Sequence, residues 1–290
     1  MKNKFNKVAL DVDNYLKKFI NSQKNTDLIK PLKYGLFSGG KKIRSKILID
    51  VGKIFNINYK KLIVLSSAVE CIHSYSLIHD DLPCMDNDDI RRGKLSTHKK
   101  FGESTAVLAG NSLLTLAFEI ISDKKFKIKD DLKVKLINLL AKSSGHLGIA
   151  GGQYLDLNFE KKKVNFFRVV NMQIKKTGEL FSFCCMAPAI LKRKKKHVIN
   201  DLNYIGSRIG LLFQLTDDLI DYKGDAKIAG KKTGKDIKKG KATLINYLKY
   251  KNSMKYLYKL EKEIILKLKK YGSKTENLID TIKFITYRTS

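Results

Sequence analysis

Four long stretches of this chain are apolar and nearly free of proline, and that restricts what it can become. They are Leu62 to His79 (LIVLSSAVECIHSYSLIH), Val107 to Ile121, Phe166 to Leu191 and Tyr204 to Tyr222 (YIGSRIGLLFQLTDDLIDY). The first is apolar almost all round, leaving no face for water, so it belongs in the centre of a helical bundle. Only 3 prolines and 19 glycines punctuate 290 residues. Helix interiors exclude proline, so this scarcity favours long helices. No stretch alternates convincingly at the period of a half-buried strand. Thr177-Gly178 interrupts the third stretch and predicts a kink or break. No Pro- or Ser-rich linker divides the chain. The expectation is an all-α fold, a single domain over residues 1–290, with charged loops at 86–102, 191–201 and 223–241.

Composition removes several classes. Hydrophobic residues make up 43% and charged residues 30%, which excludes a disordered chain, a collagen-like chain and an ordinary multi-span membrane protein. The best membrane candidate, Ser104 to Ser122, contains Asn111, Ser112 and Glu119 and reads as a buried core helix, so no stable membrane insertion is expected. The start, MKNKFNKVALDVD, has lysines but no apolar run of signal-peptide length. Cys71, Cys84, Cys184 and Cys185 show no CxxC spacing, and the adjacent pair in an apolar run reads as reduced core packing. A cytoplasmic location follows as an expectation. The net charge is +30, from 58 Lys+Arg against 28 Asp+Glu. Such an excess steers anions such as phosphates, nucleic acid or acidic lipid headgroups to the surface. The lysines are spread along the whole chain, as in compositional drift toward Lys, Asn and Ile.

One echo stands out. Asp80-Asp81-Leu82 and Asp217-Asp218-Leu219 each end an apolar stretch, and each is followed by a further aspartate, Asp86 and Asp221. Two like charges repel, and burial penalises the charged form, so such pairs need a cation. Asp217 and Asp221 lie four apart and share a helix face. Asp80 and Asp86 lie six apart and do not, but Pro83 between them ends the helix or makes it bulge, which can bring Asp86 round. All-carboxylate sites suit hard ions, and Mg²⁺ in particular is held by one or two carboxylates plus substrate phosphates. Bases flank both clusters. Arg91-Arg92 follows the first, and Lys223 to Lys241, with eight lysines against Asp225 and Asp236, follows the second. Carboxylates to hold metal beside cations to hold outer phosphate oxygens are what a metal–diphosphate complex needs.

Gly39-Gly40-Lys41-Lys42-Ile43-Arg44 is a further phosphate-type element. Lys42 stands where a P-loop has Ser or Thr, and no apolar strand precedes it, so an ATP P-loop is rejected. A Gly-Gly turn opening a helix still offers backbone N–H groups and a positive dipole end to an anion, and Lys41 and Arg44 could clamp the same phosphate. His73 lies two helical turns before Asp80, on the same face, placed as a phosphate donor. There is no GxSxG, HExxH or GxGxxG.

In order along the chain come GGKKIR, ECIHSYSLIHDDLPCMDNDDIRRGKLSTHKKFGE, LAGNSLL, GGQYLDL, KKTGELF, GLLFQLTDDLIDYKGD and GKATL. This set resembles the trans-polyprenyl diphosphate synthases over roughly residues 30 to 290, and most of all the short-chain bacterial farnesyl diphosphate synthases. The resemblance implies an isoprenoid-synthase helical bundle around a deep central cavity, a homodimer, and head-to-tail condensation of isopentenyl diphosphate with dimethylallyl and geranyl diphosphate. It implies three Mg²⁺ ions held by Asp80, Asp86 and Asp217, with Asp81, Asp218 and Asp221 as further metal ligands or their supports. Lys41, Arg44, His73 and Arg92 would bind isopentenyl diphosphate, and Arg91, Lys176, Lys231 and Lys241 the allylic diphosphate. Thr177 and Gln214 would offer oxygen dipoles to the carbocation. Tyr75, five residues before Asp80 and roughly 7.5 Å down the axis, would floor the cavity and stop the product at C15. The same chemistry stopping at geranyl or geranylgeranyl diphosphate is the alternative. A basic nucleic-acid-binding or scaffold protein is the distant one, and it has no need of twin aspartate sites. Ser45 stands where the family usually has Pro, Cys84 and Asn87 replace commoner residues in the first motif, and the tail ITYRTS is short.

Overall fold

A computed structural model of the chain describes residues 2–223 and 241–289. They form two compact units, one of residues 2–49 and 57–137, the other of residues 50–56, 138–223 and 241–289.

In the first unit, α4 (Tyr59–Asp80) is the central element. Thirteen of its 22 residues are buried, as its all-round apolar sequence predicts. Asn58 caps it, its side-chain oxygen accepting from the Lys60 N–H at 2.9 Å. Around it pack α1 (Lys2–Asn21), α2 (Ile29–Leu36) and α6 (Glu103–Ser122). Helix α1 lays down Phe5, Val8, Val12, Leu16 and Ile20, one stripe at helical spacing. Helix α6 buries Ala106, Ala109, Leu113, Leu116, Ala117, Ile120 and Ile121 but turns Val107 and Leu108 outward, so the core-helix expectation holds for one face only. Helices α4 and α6 have the length and hydropathy of membrane spans, and α4 is largely buried within its unit. Helix α3 (Ile43–Ile54) follows the Gly-Gly turn, and short α5 (Thr97–Phe101) precedes α6.

In the second unit, α10 (Glu179–Leu191) and α11 (Lys196–Lys223) make the central pair. Phe181, Phe183, Cys184 and Cys185 of α10 are fully buried and neither cysteine is in a disulfide, as expected for reduced core packing. Gly206 and Gly210 let the helices close: a Cβ on Gly210 would lie 2.4 Å from Gly178 Cα. Helices α12 (Leu244–Leu268, kinked at Lys249) and α13 (Glu276–Thr286) pack on α11. Helices α8 (Ile149–Phe159) and α9 (Phe166–Gln173) complete the set, and α7 (Asp130–Ser144) has residues 130–137 in the first unit and 138–144 in this one.

The fold class is all-α as the sequence indicates, with three differences of detail. Residues 90–95, expected as loop, form a small hairpin: β1 (Ile90–Arg91) pairs antiparallel with β2 (Lys94–Leu95). Arg92 and Gly93 between them both have positive φ, 52° and 75°, the signature of a two-residue type I′ turn. Strands this short show no alternation to read. Pro188 lies inside α10, where helix interiors are expected to exclude proline. Helix α11 starts at Lys196, inside the expected 191–201 loop. Most of the third expected loop, and with it Lys231, lies outside the described residues.

Candidate active site

In the first unit, α4 delivers Asp80 at its last turn and Asp81 at its C-cap. Past Pro83 the chain folds back: the Asp86 N–H donates to the Asp80 carbonyl at 2.8 Å and the Asp88 N–H to that of Asp81 at 3.1 Å. This is the return that Pro83 suggests, and it sets Asp86 beside Asp80. Asn87 takes φ 48°, a left-handed conformation that Asn tolerates well, so its departure from the family pattern is locally accommodated.

The arginine pair splits its duties. Arg91 grips buried Asp81 with its Nε, 3.0 Å from Oδ1 and 3.3 Å from Oδ2, and with its Nη2, which also reaches Asp88 Oδ2 at 3.4 Å. Burial pushes the Asp81 carboxyl up, and the Arg91 guanidinium pulls it back. Arg92 turns the other way. Its Nη1 donates to the Gly39 carbonyl and to Ser38 Oγ at 3.3 Å. A Cβ on Gly40, itself at φ 110°, would lie 2.6 Å from the Arg92 guanidinium carbon, so only glycine fits there. The Gly-Gly turn is therefore wrapped on Arg92.

Arg44 Nη1 lies 3.4 Å from His73 Nε2. An arginine only donates, so Nε2 accepts and Nδ1 carries the ring's proton. Burial holds the His73 pKa well below its ordinary value, helped by Arg44, Arg92, Lys42 and Arg91. The structure thus gathers Arg44, His73 and Arg92 with the turn that carries Lys41. Lys42 points elsewhere, pairing with Asp13 at 3.0 Å and approaching Glu70 at 3.9 Å, both inside the unit. Ser45, standing in place of the usual Pro, donates to buried Glu70 at 2.5 Å and so stitches α3 to α4.

In the second unit, the expected break in the third apolar stretch is a π-helical turn, Ile174–Gly178, between α9 and α10. Such turns occur at functional sites because they re-aim side chains within a continuous helix. This one carries Lys176 and Thr177. Thr177 Oγ1 donates to Gln214 Oε1 at 2.9 Å, and Gln214 Nε2 donates to Asp218 Oδ1 at 2.9 Å. Gln173 Nε2 donates to the other Asp218 oxygen at 3.1 Å. Buried Asp218 thus orients Gln214, whose Oε1 accepts the Thr177 hydroxyl hydrogen, so the hydroxyl's direction is set and its oxygen keeps its acceptor lone pairs. Asp217 and Asp221 lie one turn apart on α11, as their spacing predicts.

Two residues in this unit escaped the sequence reading. Asp156 of α8 holds Lys176 at 2.6 Å and Lys241 at 3.6 Å. Its signal is in GGQYLDL: the motif places Gln153 and Asp156 on the helix's buried stripe with Ile149 and Phe159, and turns Tyr154 outward. Arg288, in the turn after α13, donates to Asp217 Oδ1 at 3.0 Å and stacks 4.6 Å from the Phe213 ring centroid. Nothing in the local sequence marks it.

Among the described residues no three His, Cys, Asp or Glu side chains form a ready-made metal cage. The carboxylates of Asp80, Asp86, Asp217 and Asp221 are hard oxygen donors of the kind Mg²⁺ takes.

The chain is similar to known proteins along nearly its full length. The polyprenyl synthetase family model matches residues 25–282. A farnesyl diphosphate synthase of Micrococcus luteus is 38% identical over 261 residues, covering 90% of this chain and 89% of that one. A geranylgeranyl diphosphate synthase of Cyanophora paradoxa is 35% identical over 280 residues, covering 96% and 93%. Among solved structures, an apo FPP/GFPP synthase from Zymomonas mobilis superposes with TM-score 0.88 at 36% identity, over 98% of both chains. A geranyltransferase of Helicobacter pylori, complexed with magnesium and isoprenyl diphosphate, gives 0.83 at 27% identity over 97% and 96%. The chain belongs to the polyprenyl synthetase family. It is a transferase of prenyl groups.

Proposed function

We propose that this chain condenses isopentenyl diphosphate with dimethylallyl and then geranyl diphosphate, making farnesyl diphosphate with Mg²⁺. The observation that carries this reading is the Thr177–Gln214–Asp218 relay beside Lys176 on the π-helical turn. It offers the Thr177 and Gln214 oxygen dipoles, which is what an allylic cation needs.

Asp80, Asp86 and Asp217 hold the metal, taken as three ions per site, with Asp81, Asp218 and Asp221 as further ligands or supports. When bound, Mg²⁺ supplies positive charge to the departing diphosphate. Lys176, Lys241, Lys231 and Arg91 bind that diphosphate; Lys41, Arg44, His73 and Arg92 bind isopentenyl diphosphate. The allylic C–O bond breaks, and both its electrons leave with the diphosphate. The isopentenyl double bond attacks the cation and forms the new C–C bond. A proton then leaves the carbon next to the resulting cation, a new double bond forms, and the released diphosphate takes the proton.

Tyr75 sets product length in this reading. It is buried, and its ring stands edge-on to His79 with centroids 5.4 Å apart. His79 is fixed in turn: its Nε2 lies 3.1 Å from the Val107 carbonyl, over Gly110, where any Cβ would strike the imidazole. A ring held that way is a rigid floor. The chain works as a cytoplasmic homodimer, and the outward Val107 and Leu108 of α6 suit burial against a second copy. One catalytic domain spans residues 1–290.

Incubating the purified protein with isopentenyl and dimethylallyl diphosphates plus Mg²⁺, then sizing the products, tests this. The expected product is C15, shifting to C20 and longer in Tyr75→Ala. A Tyr75→Ala enzyme that still stops at C15 places the floor elsewhere. No condensation by the wild type refutes the reading as a whole.

A further inference from the structure

Helix α8 inverts the usual pattern, burying Gln153 and Asp156 while exposing Tyr154. A carboxylate on a buried stripe is costly unless it is paired. Asp156 is paired twice and through one atom: its Oδ2 lies 2.6 Å from Lys176 Nζ and 3.6 Å from Lys241 Nζ. Lys176 comes from the π-helical turn and Lys241 from just before α12, far apart in sequence. The helix is also shaped for this approach. A Cβ on Gly152 would lie 2.1 Å from the Lys176 backbone nitrogen, so a side chain there would push the π-helical turn away.

We propose that Asp156 is a positioning residue that yokes Lys176 and Lys241 into one diphosphate clamp. The inference rests on the reading of those two lysines as ligands of the allylic diphosphate. Two ammonium groups set to grip one diphosphate repel each other before it arrives. A carboxylate between them cancels that repulsion and fixes both directions. Each ammonium has three N–H donors. Lys176 spends one on Asp156, Lys241 stands at ion-pair distance from the same oxygen, and on binding both ammoniums turn donors to the phosphate oxygens. The carboxylate, the two ammoniums and the π-helical turn form one preorganised unit, ready before substrate binds. Asp156 touches no reacting atom in this account; it acts through the lysines.

A double-mutant cycle separates this role from simple packing. Asp156→Asn keeps size and shape and removes the charge. It is expected to lower kcat/KM for the allylic diphosphate roughly tenfold or more, the worth of a charge-assisted hydrogen bond, while the KM for isopentenyl diphosphate changes little. Calorimetric binding of inorganic diphosphate with Mg²⁺ should weaken in parallel. In a Lys176→Met/Lys241→Met background, Asp156 is an uncompensated carboxylate facing an anion, so there Asp156→Asn should be neutral or favourable. The same loss in both backgrounds means Asp156 only packs, and overturns the proposal. Asp156→Glu keeps the charge and should lose less than Asp156→Asn; equal losses also overturn it. If Lys176→Met/Lys241→Met leaves allylic kinetics and diphosphate binding unchanged, the lysine assignment fails, and the proposal with it. Circular dichroism and melting curves of each variant confirm that folded protein is being compared.

Discussion

The two aspartate clusters share the run Asp-Asp-Leu, and their buried aspartates are satisfied in opposite ways. In the first, buried Asp81 is held by the Arg91 guanidinium, with Asp88 behind it. In the second, buried Asp218 is held by the side-chain amides of Gln173 and Gln214. A guanidinium cancels the charge, whereas two neutral amides satisfy the oxygens and leave the charge in place. The first cluster sits among cations, with Arg44, Arg92 and Lys42 all acting on His73. In the second unit the cations sit on other carboxylates: Arg288 on Asp217, and Lys176 on Asp156.

The largest expected effect falls on both clusters alike. Asp80→Ala and Asp217→Ala should each lower turnover by orders of magnitude while circular dichroism shows intact helices, because each removes a carboxylate assigned to metal. Full activity in EDTA would sink the metal assignment for both. A large loss in only one variant would confine the metal to that cluster.

The partners of the clusters should then part company. Asp81→Asn strands a mostly buried guanidinium and is expected to cost roughly 3 kcal/mol of stability, measured by chemical denaturation. Asp218→Asn strands no buried cation and loses charge-assisted bonds from two amides, about 2 kcal/mol, but frees Gln214 and Thr177 and should lower kcat by roughly tenfold. If Asp218→Asn proves the more destabilising and Asp81→Asn the slower enzyme, the contrast between the clusters is wrong.

Much of this contrast is readable in the sequence, and the part that is not has physical reasons. The apolar runs gave α4 and α11, because burying a helix all round demands such composition. Thr177-Gly178 marks the π-helical turn, and Pro83 marks the return of Asp86. The type I′ turn was hidden because two-residue strands have no period, although Arg92-Gly93 carries its turn chemistry. Asp156 was passed over because its partners lie 20 and 85 residues away, and no local pattern encodes such pairings. Arg288 is the extreme case: it reaches Asp217 from 71 residues away.

A smaller effect tests the cationic side. Arg92 is packed on Gly39 and Gly40, next to Lys41, whereas Arg91 faces Asp81. Arg92→Ala should therefore raise the KM for isopentenyl diphosphate by roughly tenfold and the allylic KM by much less. Steady-state kinetics with each substrate varied in turn reads the difference. Equal losses would mean the two arginines do not divide the substrates.

The smallest expected effect concerns His73, whose neutrality depends on the cations that distinguish the first cluster. Its native pKa lies well below the ordinary value because of burial and then Arg44, Arg92, Lys42 and Arg91. In the unfolded chain the ring titrates near its ordinary value, about 6.5. Above that pH both states are neutral at this ring, and it adds no pH dependence. As pH falls below it, the unfolded chain takes up a proton that the native state refuses. Stability is then lost, at no more than about 1.4 kcal/mol per pH unit, the limit for one proton. Protonating the native ring would also turn Nε2 from acceptor to donor and break its bond with Arg44. His73→Gln does not titrate, so its stability should fall less steeply than the wild type's between pH 6.5 and 5, measured by urea denaturation. Parallel slopes would mean that the native ring takes up its proton as readily as the unfolded chain's, and that burial and the cations around it do less than their placement demands.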